Sequence, residues 1–159
     1  MAADPLRDQL ARLLDWTEAH AGFDRAVEAM PPALQGVVPP GFDHSAWQIL
    51  EHLRIAQEDI YDFSVNAGYT PMAWPDDYWP KAPQPPDAQA WERSVTRYRD
   101  DRAKVQALAR HPDIDLLARI PHGEGQTCLR EILLVADHGA YHVGQLVALR
   151  KALGCWPPA

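Results

Sequence analysis

Apolar residues recur at helical spacing in four stretches of the chain, and the longest stretch lies between Thr127 and Gly154. The apolar residues that share one face of it are Leu129, Ile132, Leu133, Ala136, Ala140, Val143 and Val147. Thr127 suits the N-cap position, because its hydroxyl can accept a hydrogen bond from an unpaired N–H of the first turn. Gly154 suits the left-handed position that follows a helix end. The pattern therefore predicts one long helix over this stretch.

A second stripe on the same predicted helix carries polar side chains. Its members are Glu131, Val135, His138, His142, Gln145 and Leu149. His138 and His142 lie one turn apart along the helix and about 40° apart around it, so their imidazoles can chelate one metal ion. Two histidines at this spacing are also common without a metal. Their apolar neighbours Val135 and Leu149 favour the metal site, because buried imidazoles need polar partners.

The first predicted helix begins at Asp4 and Pro5, with the aspartate as N-cap and the proline at the first helical position. Its apolar face continues, weakened or broken at Gly22, as far as Pro31. His20 lies next to this weak point. Two interpretations of His20 are open: a solvated histidine at a helix end, or a residue that reaches into the pocket of His138 and His142.

The second predicted helix contains a third histidine. Ser45 and Gln48 form a capping box that starts this helix, and it runs to about Ala67. His52 lies within its apolar face, near mid-height like His138 and His142. A lone histidine there is more often a hydrogen-bonded core residue. Three inward histidines at mid-height favour one shared site.

A long loop separates the second helix from the third. Residues 68–86 are rich in proline and aromatic residues, and a loop of this length is usually a lid, a binding element or disordered. Trp74, Tyr78 and Trp79 predict an ordered loop, because each ring carries a large apolar area. These rings either pack on the flank of the helices or form the wall of a pocket or subunit contact.

The third predicted helix runs from about Ala88 to Ala109, with Asp87 as cap. Its charged residues between Glu92 and Lys104 are typical of a solvated face. Residues 113–126 are predicted to form an irregular crossing or a short strand-like piece. Four amphipathic helices in a chain of this size predict an all-α fold, a four-helix bundle with long irregular loops, as a single domain over residues 1–159.

Composition excludes several function classes. The formal net charge is 15 − 22 = −7 and no basic cluster is present, which argues against nucleic-acid binding. No uninterrupted apolar run approaches about 18 residues, so no transmembrane helix and no membrane partner are predicted. The first residues lack a basic segment followed by an apolar one, which favours the cytoplasm. Cys128 and Cys155 lie about 40 Å apart at opposite ends of the last helix, too far for a disulfide.

Two stretches resemble a known family. Residues 45–57 (SAWQILEHLRIAQ) and residues 137–146 (DHGAYHVGQL) are similar to the signature stretches of the DinB-like (YfiT-like) superfamily of metal-dependent hydrolases. The resemblance covers nearly the whole chain. It implies a four-helix bundle, a frequent homodimer, and one divalent metal ion (nickel, zinc, iron or manganese) on three histidines, which correspond to His52, His138 and His142.

The resemblance implies either metal-dependent hydrolysis or thiol-dependent S-transfer on a small molecule, with a low-molecular-weight thiol as co-substrate. Three imidazoles without a fourth protein ligand leave one coordination position open. Gly139 follows His138, so the H-E-x-x-H pattern of zinc peptidases is absent. The alternative function is a non-catalytic, stress-related bundle that binds a metal or another ligand.

Further polar residues are candidates for a pocket or for contacts that support the metal ligands. They are His20, Glu51, Trp74, Tyr78, Asp137, Tyr141 and Gln145. Glu51 and Asp137 each adjoin a histidine in sequence, but each lies about 100° away from it around the helix. Either carboxylate can therefore be a base in the site or a partner in a salt bridge elsewhere.

Overall fold

The protein is all-α in the part that the computed structural model describes, residues 4–158. The helices are α1 Pro5–Leu13, α2 Phe23–Val27, α3 Ala46–Val65, α4 Ala90–Arg110 and α5 Cys128–Ala152, with a 3₁₀ turn at Pro32–Leu34. The long helix α3 packs against both α4 and α5, while α1 packs on α4 and α2 on α5. The fold is a four-helix bundle whose first helix is split into α1 and α2. The first and last residues of the predicted 1–159 domain lie outside the described range.

The first helix breaks earlier than Gly22. Helix α1 ends at Leu13, and residues 14–22 connect it to α2 through turns and bends. A Cβ at Gly22 would lie 2.8 Å from Cγ2 of Thr17, so a larger residue there would require the Thr17 side chain to move. Trp16 is the only large apolar residue between Asp15 and Ala21, and a continuous helix over this segment would have little apolar surface to bury.

The predicted start of α3 is confirmed. The Ser45 side chain accepts from the Gln48 N–H, and the Gln48 side chain accepts from the Ser45 N–H. Helix α4 begins two residues later than predicted, at Ala90. The Asp87 carboxylate caps the preceding turn by accepting from the Gln89 N–H.

The face of α4 predicted to be solvated is partly buried. Arg102 and Asp101 lie in the interior, with 9% and 5% of their surface exposed. Arg102 donates to Asp24 at 2.9 Å and lies 2.9 Å from an oxygen of Asp15. The prediction failed because the break in the first helix places Asp15 and Asp24 next to Arg102 of α4. The periodicity of the sequence does not reveal this contact.

The buried face of α5 also differs from the predicted one. Leu133 and Ala140, both predicted to face inward, are exposed. The buried positions of α5 are Cys128, Glu131, Ile132, Val135, His142, Val143, Leu146, Leu149 and Arg150. The stripe that carries the histidines therefore faces α3. The neighbouring apolar stripe is left partly uncovered, because α1 is too short to cover it.

Helix α5 is also long and apolar enough to cross a membrane, by length and composition alone. The sequence analysis predicts no such stretch. The helix meets the criterion because Asp137 is the only charged residue between Glu131 and Arg150. The core helix of a bundle has the same character.

Arg150 joins α5 to two other segments through buried hydrogen bonds. Only 1% of its surface is exposed. Its guanidinium donates to the carbonyls of Ala26 at 2.8 Å and Glu28 at 2.7 Å, and to the carbonyl of Cys155 at 3.0 and 3.2 Å. One side chain thus satisfies the carbonyls at the end of α2 and after α5.

We predict that Arg150→Met lowers the free energy of unfolding by about 2–4 kcal/mol, because it leaves buried carbonyls without donors. The measurement is urea unfolding followed by circular dichroism. Arg119→Met is the matched control, since Arg119 is exposed, and it should change stability by less than about 0.5 kcal/mol. Equal effects of the two substitutions would contradict the structural role of Arg150.

Candidate metal centre

Three histidines from two helices meet inside the bundle. His52 of α3 and His142 of α5 are buried, and His138 of α5 is half-buried. One nitrogen of each ring lies within 4.8 Å of the others, and the Nε2 atoms of His52 and His138 are 3.0 Å apart. The capping box at Ser45 fixes where α3 begins, and therefore the height at which His52 enters the bundle.

Hydrogen bonds to the outer nitrogens orient two of these rings. Nδ1 of His52 lies 3.0 Å from the Tyr78 carbonyl. A carbonyl only accepts, so Nδ1 carries the proton and Nε2 keeps its lone pair. Nδ1 of His142 donates to Oε1 of Gln145 at 2.6 Å, which again leaves Nε2 free. These tautomers follow from the hydrogen-bond partners.

Aromatic stacking also fixes the ring of His52. The Trp79 ring lies parallel to it, with the centroids 3.8 Å apart and an interplanar angle of 3°. Trp79 also stacks on His44 at 3.9 Å. The aromatic loop thus holds His52 through both the Tyr78 backbone and the Trp79 side chain.

The environment favours neutral imidazoles. Burial, with a smaller contribution from the neighbouring histidines, lowers the pKa of His52 and of His138 to about 4. Burial also lowers the pKa of His142, although its hydrogen bond to Gln145 acts in the opposite direction. All three rings therefore present uncharged nitrogens at neutral pH, the state in which histidine binds metals.

These residues fit a divalent ion. Imidazole nitrogens bind zinc at about 2.0–2.1 Å, so two nitrogens on one ion lie about 3–3.5 Å apart, and the 3.0 Å spacing of His52 and His138 fits. Nickel, iron and zinc all accept imidazole ligands, and the donor set does not distinguish among them. Within residues 4–158, no carboxylate, thiol or fourth histidine joins this cluster.

A cavity of about 370 Å³ adjoins His52 and His138. Its aromatic wall consists of Phe63, Tyr69, Trp74 and Tyr78, and its polar groups include Asp59, Gln126, Arg130 and Glu131. Glu131 is buried and pairs with Arg130 at 2.9 Å, while the arginine is largely exposed. The cavity therefore combines an apolar body with one cation and two carboxylates.

Asp59 organises one side of this cavity. Its carboxylate accepts from the hydroxyls of Tyr69 at 2.9 Å and Tyr78 at 2.6 Å. Burial and the hydrogen bond to Asp59 raise the pKa of Tyr69 to about 12, and the same causes raise the pKa of Tyr78. Both tyrosines remain protonated donors at neutral pH.

Of the predicted supporting residues in α5 and in the aromatic loop, only some contact the three histidines. Gln145 contacts His142 directly, and its Nε2 donates to the exposed Tyr141 hydroxyl at 3.1 Å. Tyr78 is half-buried, as predicted. Trp74 is 70% exposed and does not pack on the flank of the helices; it lines the cavity, which is the other predicted arrangement, and its ring centroid lies 5.2 Å from that of Tyr78.

The remaining candidates, Glu51, Asp137 and His20, do not contact the three histidines. Glu51 pairs with Arg54 at 2.9 Å and accepts from the Ser94 hydroxyl, so it is a structural carboxylate between α3 and α4. Asp137 and His20 are exposed and line a separate cavity of about 410 Å³, formed by the broken first helix and α5. The helical periodicity explains this difference, because Asp137 is rotated by about 100° from His138.

Two cavity residues that the sequence analysis did not propose carry a recognisable signal. Asp59 follows His52 by seven residues and Glu131 precedes His138 by seven, so each carboxylate lies two turns from a histidine on the same helical face. Tyr69 comes from an irregular segment, and Arg130 lies beside the stripe of α5 that carries the histidines. Neither position has a periodic signal that predicts it.

Comparison with known proteins agrees with this architecture. The family model described as the DinB superfamily matches residues 15–146, a segment that contains all three histidines and the aromatic loop. The searches of curated proteins and of solved structures found no match. Because the family model covers most of the chain, the protein belongs to the DinB superfamily.

Proposed function

We propose that the protein is a divalent-metal-dependent enzyme that acts on a small molecule, by hydrolysis or by transfer of a group to a low-molecular-weight thiol. One observation carries the proposal: three neutral imidazoles converge without a fourth protein ligand in the described chain, and they border a cavity. A purely structural site would have a fourth protein ligand to complete its shell. The open cluster therefore favours the enzyme over a non-catalytic metal-binding bundle.

His52, His138 and His142 would hold the ion through their Nε2 atoms. When bound, a divalent ion supplies Lewis acidity, which lowers the pKa of a coordinated water or thiol and polarises a substrate oxygen. The Tyr78 carbonyl and the Gln145 side chain hold two of the rings in the required orientation. Such supporting contacts commonly change metal affinity by about 10–100-fold when removed.

The cavity residues bind and orient the substrate in this proposal. The aromatic wall excludes water from the apolar body of the molecule. Arg130, at the exposed end of the cavity, pairs with a carboxylate or another anionic group of the substrate. Asp59 holds the hydroxyls of Tyr69 and Tyr78 at the cavity wall.

The proposal includes a homodimer in the cytoplasm, without a nucleic-acid or membrane partner. The family resemblance supports the dimer, the net charge of −7 argues against nucleic-acid binding, and two cysteines that form no disulfide suit a reducing compartment. Analytical ultracentrifugation of the purified protein tests the dimer.

We predict that replacing His52, His138 or His142 by Ala removes most of the bound divalent ion, because each ring supplies one of three ligands. The measurement is elemental analysis after purification and dialysis. His111→Ala is the matched control, since His111 is exposed and outside the cluster. A triple variant that retains the wild-type metal content would refute the metal centre.

We predict that the metal-free protein loses stability as the pH falls from about 6.5 to about 4. The unfolded chain protonates these histidines near pH 6.5, whereas the folded chain keeps His52 and His138 neutral until about pH 4. The unfolded state thus binds more protons in this interval. The contribution is complete above pH 6.5 and is lost as the pH falls toward 4.

The pH prediction is tested by urea unfolding at each pH, with the double variant His52→Asn/His138→Asn as reference. Both proteins share the same carboxylates, so the difference between their pH profiles isolates the two histidines. Parallel profiles would contradict the assignment of neutral buried imidazoles.

We predict that Leu134→Trp blocks access to the centre without releasing the ion. Leu134 lines the cavity beside His138, whereas the adjacent Leu133 lines the separate cavity and is 44% exposed. Cysteine, glutathione or a related thiol should change the visible absorption of the cobalt-loaded wild type. Leu134→Trp should weaken thiol binding at least about tenfold, or ~1.4 kcal/mol, and the control Leu133→Trp should not.

The same titration distinguishes the two reactions. If no thiol changes the spectrum of the cobalt-loaded wild type, S-transfer is refuted and hydrolysis remains. If Leu133→Trp and Leu134→Trp respond alike, the cavity is not the route to the ion.

A further inference from the structure

Gln57 of α3 has a buried oxygen that contacts no donor. Only 3% of the residue is exposed. Its Nε2 donates to the backbone carbonyl of Tyr98 at 2.8 Å, which fixes the amide and leaves Oε1 as its unused end. Within the described chain, Oε1 is fully buried without a hydrogen-bond partner. Buried acceptors are nearly always paired, so this oxygen requires an explanation.

The surroundings of Gln57 include a histidine of the metal centre. A small cavity between α3, α4 and α5 is lined by Leu53, Gln57, Ile60, Tyr98, Val135, His138 and Gly139. It has no volume for a water molecule, so water does not satisfy the oxygen. The polar side chains at this cavity are those of Gln57, Tyr98 and His138.

The Nδ1 atom of His138, unlike those of the other two histidines, has no hydrogen-bond acceptor in the described chain. Nδ1 of His52 and Nδ1 of His142 each have an acceptor, the Tyr78 carbonyl and Gln145 respectively. The only hydrogen-bond contact of His138 in the described chain is Nε2 with Nε2 of His52 at 3.0 Å. Since His52 carries its proton on Nδ1, that contact places the proton of His138 on Nε2.

We infer that Gln57 positions His138 in the metal-bound protein by accepting a hydrogen bond from its Nδ1–H. A histidine that binds through Nε2 must carry its proton on Nδ1, and that N–H needs an acceptor. The ring remains neutral, with one proton that moves from Nε2 to Nδ1. Gln57 and His138 line the same small cavity, which makes Oε1 the unpaired acceptor beside this ring. The inference rests on the proposed metal centre.

The test compares zinc affinities by competition with a chromophoric chelator. Gln57→Leu removes the acceptor and the amide donor, whereas Gln57→Glu removes the amide donor but keeps an oxygen acceptor. Gln57→Leu should weaken zinc binding by about 10–100-fold, and Gln57→Glu should stay close to wild type. Gln145→Leu is the comparator, because Gln145 already makes the corresponding bond to His142.

Tyr98→Phe tests the other polar group at this cavity. The Tyr98 hydroxyl lies 3.4 Å from the position of a Cβ on Gly139, next to His138 in the chain. Zinc affinity should not change in this variant. A loss equal to that of Gln57→Leu would make Tyr98 the acceptor and overturn the inference.

A measurement on the unmodified protein covers the case in which Gln57→Leu does not fold. In the ¹⁵N-histidine spectrum of the zinc-loaded wild type, His138 should carry a slowly exchanging proton on Nδ1, and on Nε2 without zinc. A proton on Nε2 in the zinc-loaded protein would overturn the inference, as would wild-type zinc affinity in Gln57→Leu. Absence of zinc binding to the wild type would instead refute the metal centre itself.

Discussion

Burial of polar side chains along α5 is the constraint on which the rest of the structure depends. Glu131, His142 and Arg150 lie in the interior of the bundle at three successive heights of one helix. Each needs a partner at its own height, because an unpaired buried polar group is strongly destabilising. Glu131 forms an ion pair with Arg130, and His142 donates to Gln145. Arg150 donates to carbonyls at the end of α2 and after α5. Arg130 and Gln145 belong to α5 itself, whereas the bonds from Arg150 to the carbonyls of Ala26 and Glu28 fix the position of α5 relative to the end of α2.

The aromatic loop belongs to the same arrangement. The carbonyls of Pro80 and Pro83 accept from the side chains of Gln48 and Ser45, so the loop is attached at the start of α3. It reaches His52 a few residues earlier, through the Tyr78 carbonyl. A displacement of the loop would therefore remove the acceptor of a candidate metal ligand. The position of the loop and the orientation of His52 are therefore coupled, through this hydrogen bond and through the stacked Trp79 ring.

The parts of the fold that the sequence predicts are those set by local chemistry. The Ser45 capping box, the Thr127 cap and the left-handed Gly154 all depend on residues within a few positions. The convergence of His52, His138 and His142 follows from helical periodicity and similar heights along the helices. The directions of Glu51 and Asp137 are not predicted, because a periodicity gives an angle around a helix but not the neighbour at that angle. For Asp137, that neighbour is the cavity left by the break in the first helix after Leu13.

The charge balance at the cluster bears on its chemistry. Three neutral imidazoles would leave the full charge of a divalent ion uncompensated. The nearby carboxylates do not join the cluster: the charge of Glu131 is offset by Arg130, and Asp59 is held at the cavity wall by two tyrosine hydroxyls. The remaining position at such an ion therefore favours an anionic ligand over a neutral one. Thiolate and hydroxide are both anionic nucleophiles, so the neutral histidine set favours the two reactions proposed for this cavity.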